Sequence, residues 1–176
     1  AIAYLVLRTK LIGRKWLDYT AMAAVAIPGL VIGIGYLRAF HSIQVPWLEN
    51  QSLATWWVAI GIALAIRRLP YALRACTAAL QQVSVSLEES AENLGANKIS
   101  SIRKIVIPLM AGGILAGFVT SFATAAVELG MTLMLVSKSS DGPLAYGIYV
   151  YMQSAAGRGP GAALGIMAVI VVGTCT

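Results

Sequence analysis

The chain predicts an all-α fold, a polytopic bundle of membrane-crossing helices, and three observations lead there. Hydrophobic residues make up 59% of the 176 residues and charged residues 11%, with a mean hydropathy of +0.79; soluble domains carry about 25% charged residues. Apolar runs long enough to cross a bilayer recur along the chain. One polar stretch, from Ser86 to Pro108, interrupts them and holds Glu88, Glu89 and Glu92, three of the seven acidic residues. A soluble core cannot bury so much apolar surface, so the solvent for most of this chain is lipid.

Taken in order, residues 1–7 are apolar and start without Met or a signal-like basic region, which reads as the tail of a membrane helix cut by the start of a fragment. A basic stretch follows, with Arg8, Lys10, Arg14 and Lys15. Residues 20–40 carry one charge, Arg38 at the far end, and as a helix would reach about 30 Å, the thickness of the hydrocarbon core. Residues 53–80 form a second span, expected to break at Arg67-Arg68-Leu69-Pro70, because proline removes a helix hydrogen bond and the arginines should seek cytoplasmic water or a polar groove. Residues 109–136 make a third span and residues 161–176 a fourth, whose end at Cys175-Thr176 suggests truncation or a very short tail.

Between the second and third spans, residues 83–108 must lie in water. Ser86 followed by Glu89 is a capping-box pattern, which starts a short helix near Leu87. Glu88, Glu89 and Glu92 then fall in its first turns, where the positive helix end favours anions. Gly95 closes it, since glycine takes the left-handed conformation at low steric cost. A second helical run from Asn97 to Val106 brings Ile99, Ile102 and Ile105 or Val106 onto one side, and Pro108 ends that run or opens the next. The expected product is a helix–turn–helix bracket at a membrane face, offering carboxylates and a small apolar surface. An amphipathic connector without a docking partner would carry the same capping features.

Charge placement orients the bundle. Arg8, Lys10, Arg14, Lys15, Lys98, Arg103 and Lys104 fall on one side, joined less securely by Arg67, Arg68 and Arg74, whereas Arg38, Lys138 and Arg158 fall on the other. The positive-inside rule puts the bracket in the cytoplasm. The net charge of +6 is explained by these boundary cations, and no basic stripe with interleaved aromatics points to nucleic acid. Trp16, Trp47, Trp56 and Trp57 lie near span ends, as an interfacial belt requires.

Catalytic chemistry is not encoded. Cys76 and Cys175 show no metal or disulfide spacing, His41 stands alone beside Ser42, and no nucleophile elbow, phosphate loop or carboxylate pair occurs. Gly33-Ile34-Gly35 and Ala111-Gly112-Gly113 have no preceding strand and read as small residues that let helices pack closely. An intramembrane enzyme therefore lacks its parts. Glu128 is the one acidic residue deep within an expected span, and a carboxylate there costs at least ~2.5 kcal/mol unless paired or wet. Either a translocation path or an interhelical ion pair with Arg67, Arg68 or Arg74 would justify it.

Glu89-Ser90-Ala91, three residues, Gly95, nine residues and Ile105-Val106-Ile107-Pro108 resemble the EAA loop, E-A-A-x3-G-x9-I-x-L-P, of binding-protein-dependent ABC transporter permeases. Ser90 stands where Ala is usual and Ile107 where Leu is usual. Similarity extends over nearly all of the chain. Residues 27–36 (IPGLVIGIGY), 68–74 (RLPYALR) and 128–133 (ELGMTL) are similar to segments of the iron(III)-type permeases, a branch that includes thiamine, polyamine and phosphonate importers. Gly130 and Met131 depart from that branch's E-L-S-A-T-L.

The resemblance implies the type I importer permease fold, of which residues 1–176 would be one transmembrane domain and a fragment of a larger permease in the bacterial inner membrane. It implies an ATPase-coupling role for Glu88, Glu89, Ser90, Ala91, Gly95, Ala96, Ile105 and Pro108. It also implies cytoplasmic ABC ATPase subunits that carry ATP and magnesium, a periplasmic binding protein delivering substrate to residues 40–53 and 138–160, and a second permease half or copy. This chain itself would bind no cofactor or metal and would not be an enzyme; iron(III) leads as cargo. The competing class is a membrane assembly subunit that binds a cytoplasmic partner but moves nothing.

Overall fold

A computed structural model describes residues 1–46, 52–154 and 158–175. Among the described residues ten helices run in order: α1 (Ile2–Arg8), α2 (Arg14–Ala26), α3 (Gly29–His41), α4 (Trp57–Gln82), α5 (Val85–Asn93), α6 (Lys98–Leu109), α7 (Ala111–Ala126), α8 (Thr132–Leu135), α9 (Leu144–Gln153) and α10 (Arg158–Cys175). Short 3-10 turns cover Leu53–Thr55 and Ser139–Asp141. Among the described residues the extended pairing is limited to one isolated bridge, Gln44 with Ser52. The all-α expectation holds.

The chain divides into two compact units, residues 1–23 with 69–121 and residues 24–68 with 122–176. In the first, Leu80, Val83, Val106 and Met110 form a buried cluster, with Tyr4, Leu7, Cys76 and Ala79 packed against it. A smaller cluster joins Ala3, Ala21 and Leu73. α4 and α7 approach closely there: a Cβ on Gly113 would run into the Cβ of Ala79, and one on Gly117 would lie 3.0 Å from that of Ala75. Small residues at four-residue spacing thus let two backbones meet, as Gly113 was expected to do, whereas Gly112 and Gly35 face open space.

In the second unit the core is Phe40, Ala54, Ala59, Ile60, Ala63, Met131 and Leu135. Gly33 allows α3 to lie against the Met131 carbonyl, 3.1 Å from where a Cβ would stand. α9 packs beside α10, with Gly161 against Met152. α9 lies within residues 138–160, which the sequence leads one to expect as an outer loop. Pro143 at its N-cap starts it, and residues 155–157 of that loop lie outside the described residues.

The straight spans inferred from hydropathy differ from the helices formed. Among the described residues one helix, α10, is long and apolar enough to cross a membrane, and there are up to three such segments if each bent pair counts as one. Residues 20–40 are interrupted: α2 and α3 meet at Ile27-Pro28 with a bend of 109°. Proline lacks the N–H that would continue α2, and its restriction on Ile27 ends the helix one residue earlier. α6 and α7 bend by 66° at Met110. Within α6, Ile102–Val106 is a π turn in which the Ile107 N–H reaches the Ile102 carbonyl. The wider turn eases the clash that Pro108 would impose on the carbonyl four residues back.

α4, in contrast, does not break at Pro70. A proline in a helix interior costs about 3 kcal/mol, but the buried residues Ala63 and Leu73 on either side hold the helix in its packing. Of the tryptophans assigned to the interface, Trp16 and Trp57 are exposed and Trp47 lies outside the described residues.

Candidate functional site

The bracket begins where α4 ends. Ser84, not Ser86, is the N-cap of α5: its backbone is extended, and its Oγ accepts from the Ser86 N–H at 3.3 Å. Burial of Leu80 and Val83 pins the end of α4, so the chain must turn at once and the first available serine takes the cap. Ser86 is already helical, which displaces the expected Ser86–Glu89 capping box.

α5 stops as its sequence predicts. Gly95 has φ +87°, the Gly95 N–H donates to the Glu92 carbonyl at 2.9 Å and the Ala96 N–H to that of Ala91 at 3.0 Å. These are the two bonds of a Schellman closure, and the positive φ is the reason for glycine here. Asn97 then caps α6, its Oδ1 accepting from the Ser100 N–H at 2.8 Å.

The two adjacent glutamates part company. Glu89 is exposed, as are Ser90, Glu92, Gly95 and Pro108, while Ala91, Ala96 and Ile105 are partly covered. Glu88, expected to face water, is 6% exposed. Its Oε1 lies 3.1 Å from Arg8 Nε, and its Oε2 accepts from the Tyr4 hydroxyl at 2.7 Å. The arginine contact is an ion pair off the line of a hydrogen bond. Arg8 Nη2 also donates to the carbonyls of Leu80 at 3.3 Å and of Val83. Arg8 was counted among the solvated cations of a loop; no spacing in the sequence distinguishes it from Lys10 or Arg14.

The apolar face of the second run also differs from its periodicity. Val106 and Ser101 are buried, whereas Ile99 is 77% exposed. The π turn changes the angular step along α6 and moves Ile99 out. Leu94, beside the Gly95 closure, is 89% exposed. The exposed residues of the bracket therefore include the carboxylates of Glu89 and Glu92 and two large aliphatic side chains.

The second charged feature centres on Glu128. Residues 127–131 separate α7 from α8, so this carboxylate sits at a helix break rather than inside a helix. Its Oε2 accepts from Arg67 Nε at 3.3 Å and from Arg68 Nη2, and its Oε1 accepts from the Met131 N–H at 3.4 Å. Arg67 Nη1 also donates to the carbonyls of Ala24 at 3.2 Å and Ile27 at 3.0 Å, and Arg68 Nη2 to that of Thr124 at 2.9 Å. All three charged side chains are nearly buried.

Two guanidiniums thus share one carboxylate and close the ends of α2 and α7, where carbonyls are left without helix partners and the dipole is negative. Of the environments expected for the arginines, cytoplasmic water, a polar groove or an ion pair with Glu128, Arg67 and Arg68 take the ion pair and stay inside. Arg74 has another partner, Asp18, at 3.6 Å, with its own side chain 61% exposed.

The family model for the inner membrane component of binding-protein-dependent transport systems matches residues 1–176. The ferric transport system permease protein FbpB of Actinobacillus pleuropneumoniae is 32% identical over 145 residues, covering 82% of this chain and 20% of that protein. The sulfate transport system permease protein CysT of Salmonella typhimurium is 28% identical, covering 76% of this chain and 50% of its own length. The molybdenum transport system permease protein ModB of Escherichia coli is 28% identical over 174 residues, covering 95% of this chain and 76% of ModB. The chain spans about a fifth of the length of the ferric relative and half that of the sulfate relative. A match along every residue, with apolar helices among the described residues, makes this chain a member of the family of inner membrane components of binding-protein-dependent transport systems, the permease components of ABC transporters.

Proposed function

We propose that this chain is the membrane-spanning part of an ATP-driven importer and that the α5–α6 bracket is its docking element for a cytoplasmic ATPase. The observation that carries this reading is the exposure of Glu89, Leu94 and Ile99 on either side of the Gly95 closure. Large aliphatics exposed at a polar tip are costly in water and suit a partner groove with an apolar floor and a cationic rim. ATP binding would close two ATPase subunits and push the bracket. A soluble binding protein would present substrate on the opposite side, and a second permease half would complete the path.

Iron(III) is the cargo we favour, supported by similarity to the ferric permeases. An oxyanion such as molybdate or sulfate is the second reading, supported by the ModB match over 95% of the chain and by CysT. In this reading the Glu128 cluster holds the bundle, since its charges are already paired and its guanidiniums bonded to carbonyls.

Reconstitution of the complete permease with its ATPase and binding protein in proteoliposomes tests the proposal. Glu89→Ala and Gly95→Asp should detach the ATPase or abolish binding-protein-stimulated hydrolysis while the membrane part still folds. Unchanged association and stimulation in both variants would reduce the bracket to a connector. Uptake of labelled iron(III), molybdate and sulfate in the same vesicles separates the cargoes.

A further inference from the structure

We infer that Arg8 is a positioning residue for the coupling movement, clasping α5 to α1 and to the end of α4 so that the three move as one body. This rests on the docking role proposed for α5.

Two covalent joints alone would leave α5 free to swing, at Ser84 before it and at Ala96-Asn97 after it. The structure adds a third attachment through space. Both oxygens of Glu88 are engaged from α1, one by Arg8 at 3.1 Å and the other by Tyr4 at 2.7 Å. The same guanidinium bonds the carbonyls of Leu80, in the last turn of α4, and of Val83, one residue past its end. Leu80 and Val83 belong to the buried cluster that includes Val106 of α6, and Tyr4 and Leu7 pack on it. Ion pair, hydrogen bonds and apolar core therefore coincide at one point under the bracket.

Neighbouring positions on a helix point about 100° apart, so Glu88 faces inward while Glu89 faces out. A force applied at the Glu89 face is met one residue away by the clasp. Opening it would strand a buried carboxylate and a nearly buried guanidinium, an unfavourable state that biases α5 to carry its neighbours along.

The test uses the complete permease with its ATPase and binding protein in proteoliposomes, with Cys76 and Cys175 replaced. Spin labels at Lys10→Cys, just beyond α1, and Asn93→Cys, at the end of α5, report the distance across the clasp with and without ATP and vanadate. In the otherwise unaltered protein the distance is expected to stay constant. In Arg8→Met it should broaden, and binding-protein-stimulated ATP hydrolysis should fall about tenfold while ATPase association stays within about twofold, a size typical of coupling between sites. Arg8→Lys should recover part of the stimulation, and Tyr4→Phe should lose less.

A label distance that changes on ATP binding in the unaltered protein overturns the inference, as does an Arg8→Met protein with normal distance and stimulation. The unaltered label pair and Tyr4→Phe decide the matter even if Arg8→Met is not recovered. Failure of the docking role has a different signature: ATPase association and binding-protein-stimulated hydrolysis then both persist in Glu89→Ala and Gly95→Asp, and the inference falls with it.

Discussion

Glu88 and Glu128 are both carboxylates buried against arginine, yet one stands in the first turn of a polar helix and the other at the break between two apolar ones. Around Glu88 a single arginine and a tyrosine hydroxyl close the site. Around Glu128 two arginines share one carboxylate, and three backbone carbonyls accept further hydrogen bonds from Arg67 Nη1 and Arg68 Nη2. In each case a guanidinium does two tasks: it neutralises a carboxylate and caps a helix that ends inside the protein. A planar group with five donors can do both at once, which an ammonium cannot. The difference lies in surplus charge, +1 around Glu128 and balanced around Glu88, so removing one partner leaves two unpaired cations at Glu128 but one unpaired anion when Arg8 is lost, and the first should cost more.

Glu128→Ala should have the largest effect, leaving two nearly buried guanidiniums without their counter-ion at a cost of about 3–5 kcal/mol. Thermal unfolding of the purified protein in detergent would show it, and a variant as stable as the parent would mean that carbonyls alone satisfy both arginines. Arg8→Met should rank next, at about 3 kcal/mol, since Tyr4 still donates to the stranded Glu88. The same measurement checks the order, and a greater loss here would reverse the charge argument.

Smaller effects sharpen the contrast between burial and exposure. Glu89→Ala, one residue from Glu88 but in water, should shift stability by no more than about 0.5 kcal/mol, leaving its consequences to ATPase association. Arg74→Ala removes a mostly exposed pair to Asp18 and should cost less than about 1 kcal/mol, an effect that shrinks further in high salt. A loss as large as that of Arg8→Met would show that Arg74 has a buried role in the assembled permease.

Hydropathy, the polar insert and the glycine of its turn were legible because each is a local property. Gly95 must be glycine for a φ of +87°, and Asn97 caps α6 where the pattern changes from turn to helix. The EAA-like spacing named the family before any geometry was known, and the match over residues 1–176 agrees. The cap of α5 shifted to Ser84 because two serines compete for it and the winner depends on where Leu80 and Val83 are buried. Continuity of α4 through Pro70, against the break at Pro28, likewise turns on packing at each proline and not on the residue itself.

By itself, then, the sequence determined a helical membrane chain, the family to which it belongs, and a polar bracket closed at Gly95, all of them consequences of composition and short-range spacing. Tertiary structure decided which charges are spent inward: Arg8 on Glu88 across 80 residues, Arg67 and Arg68 on Glu128 across 61 and 60. A charged side chain carries no mark of its partner along the chain. Only when helix ends with unpaired carbonyls are brought beside it does burying a guanidinium become cheaper than leaving it in water.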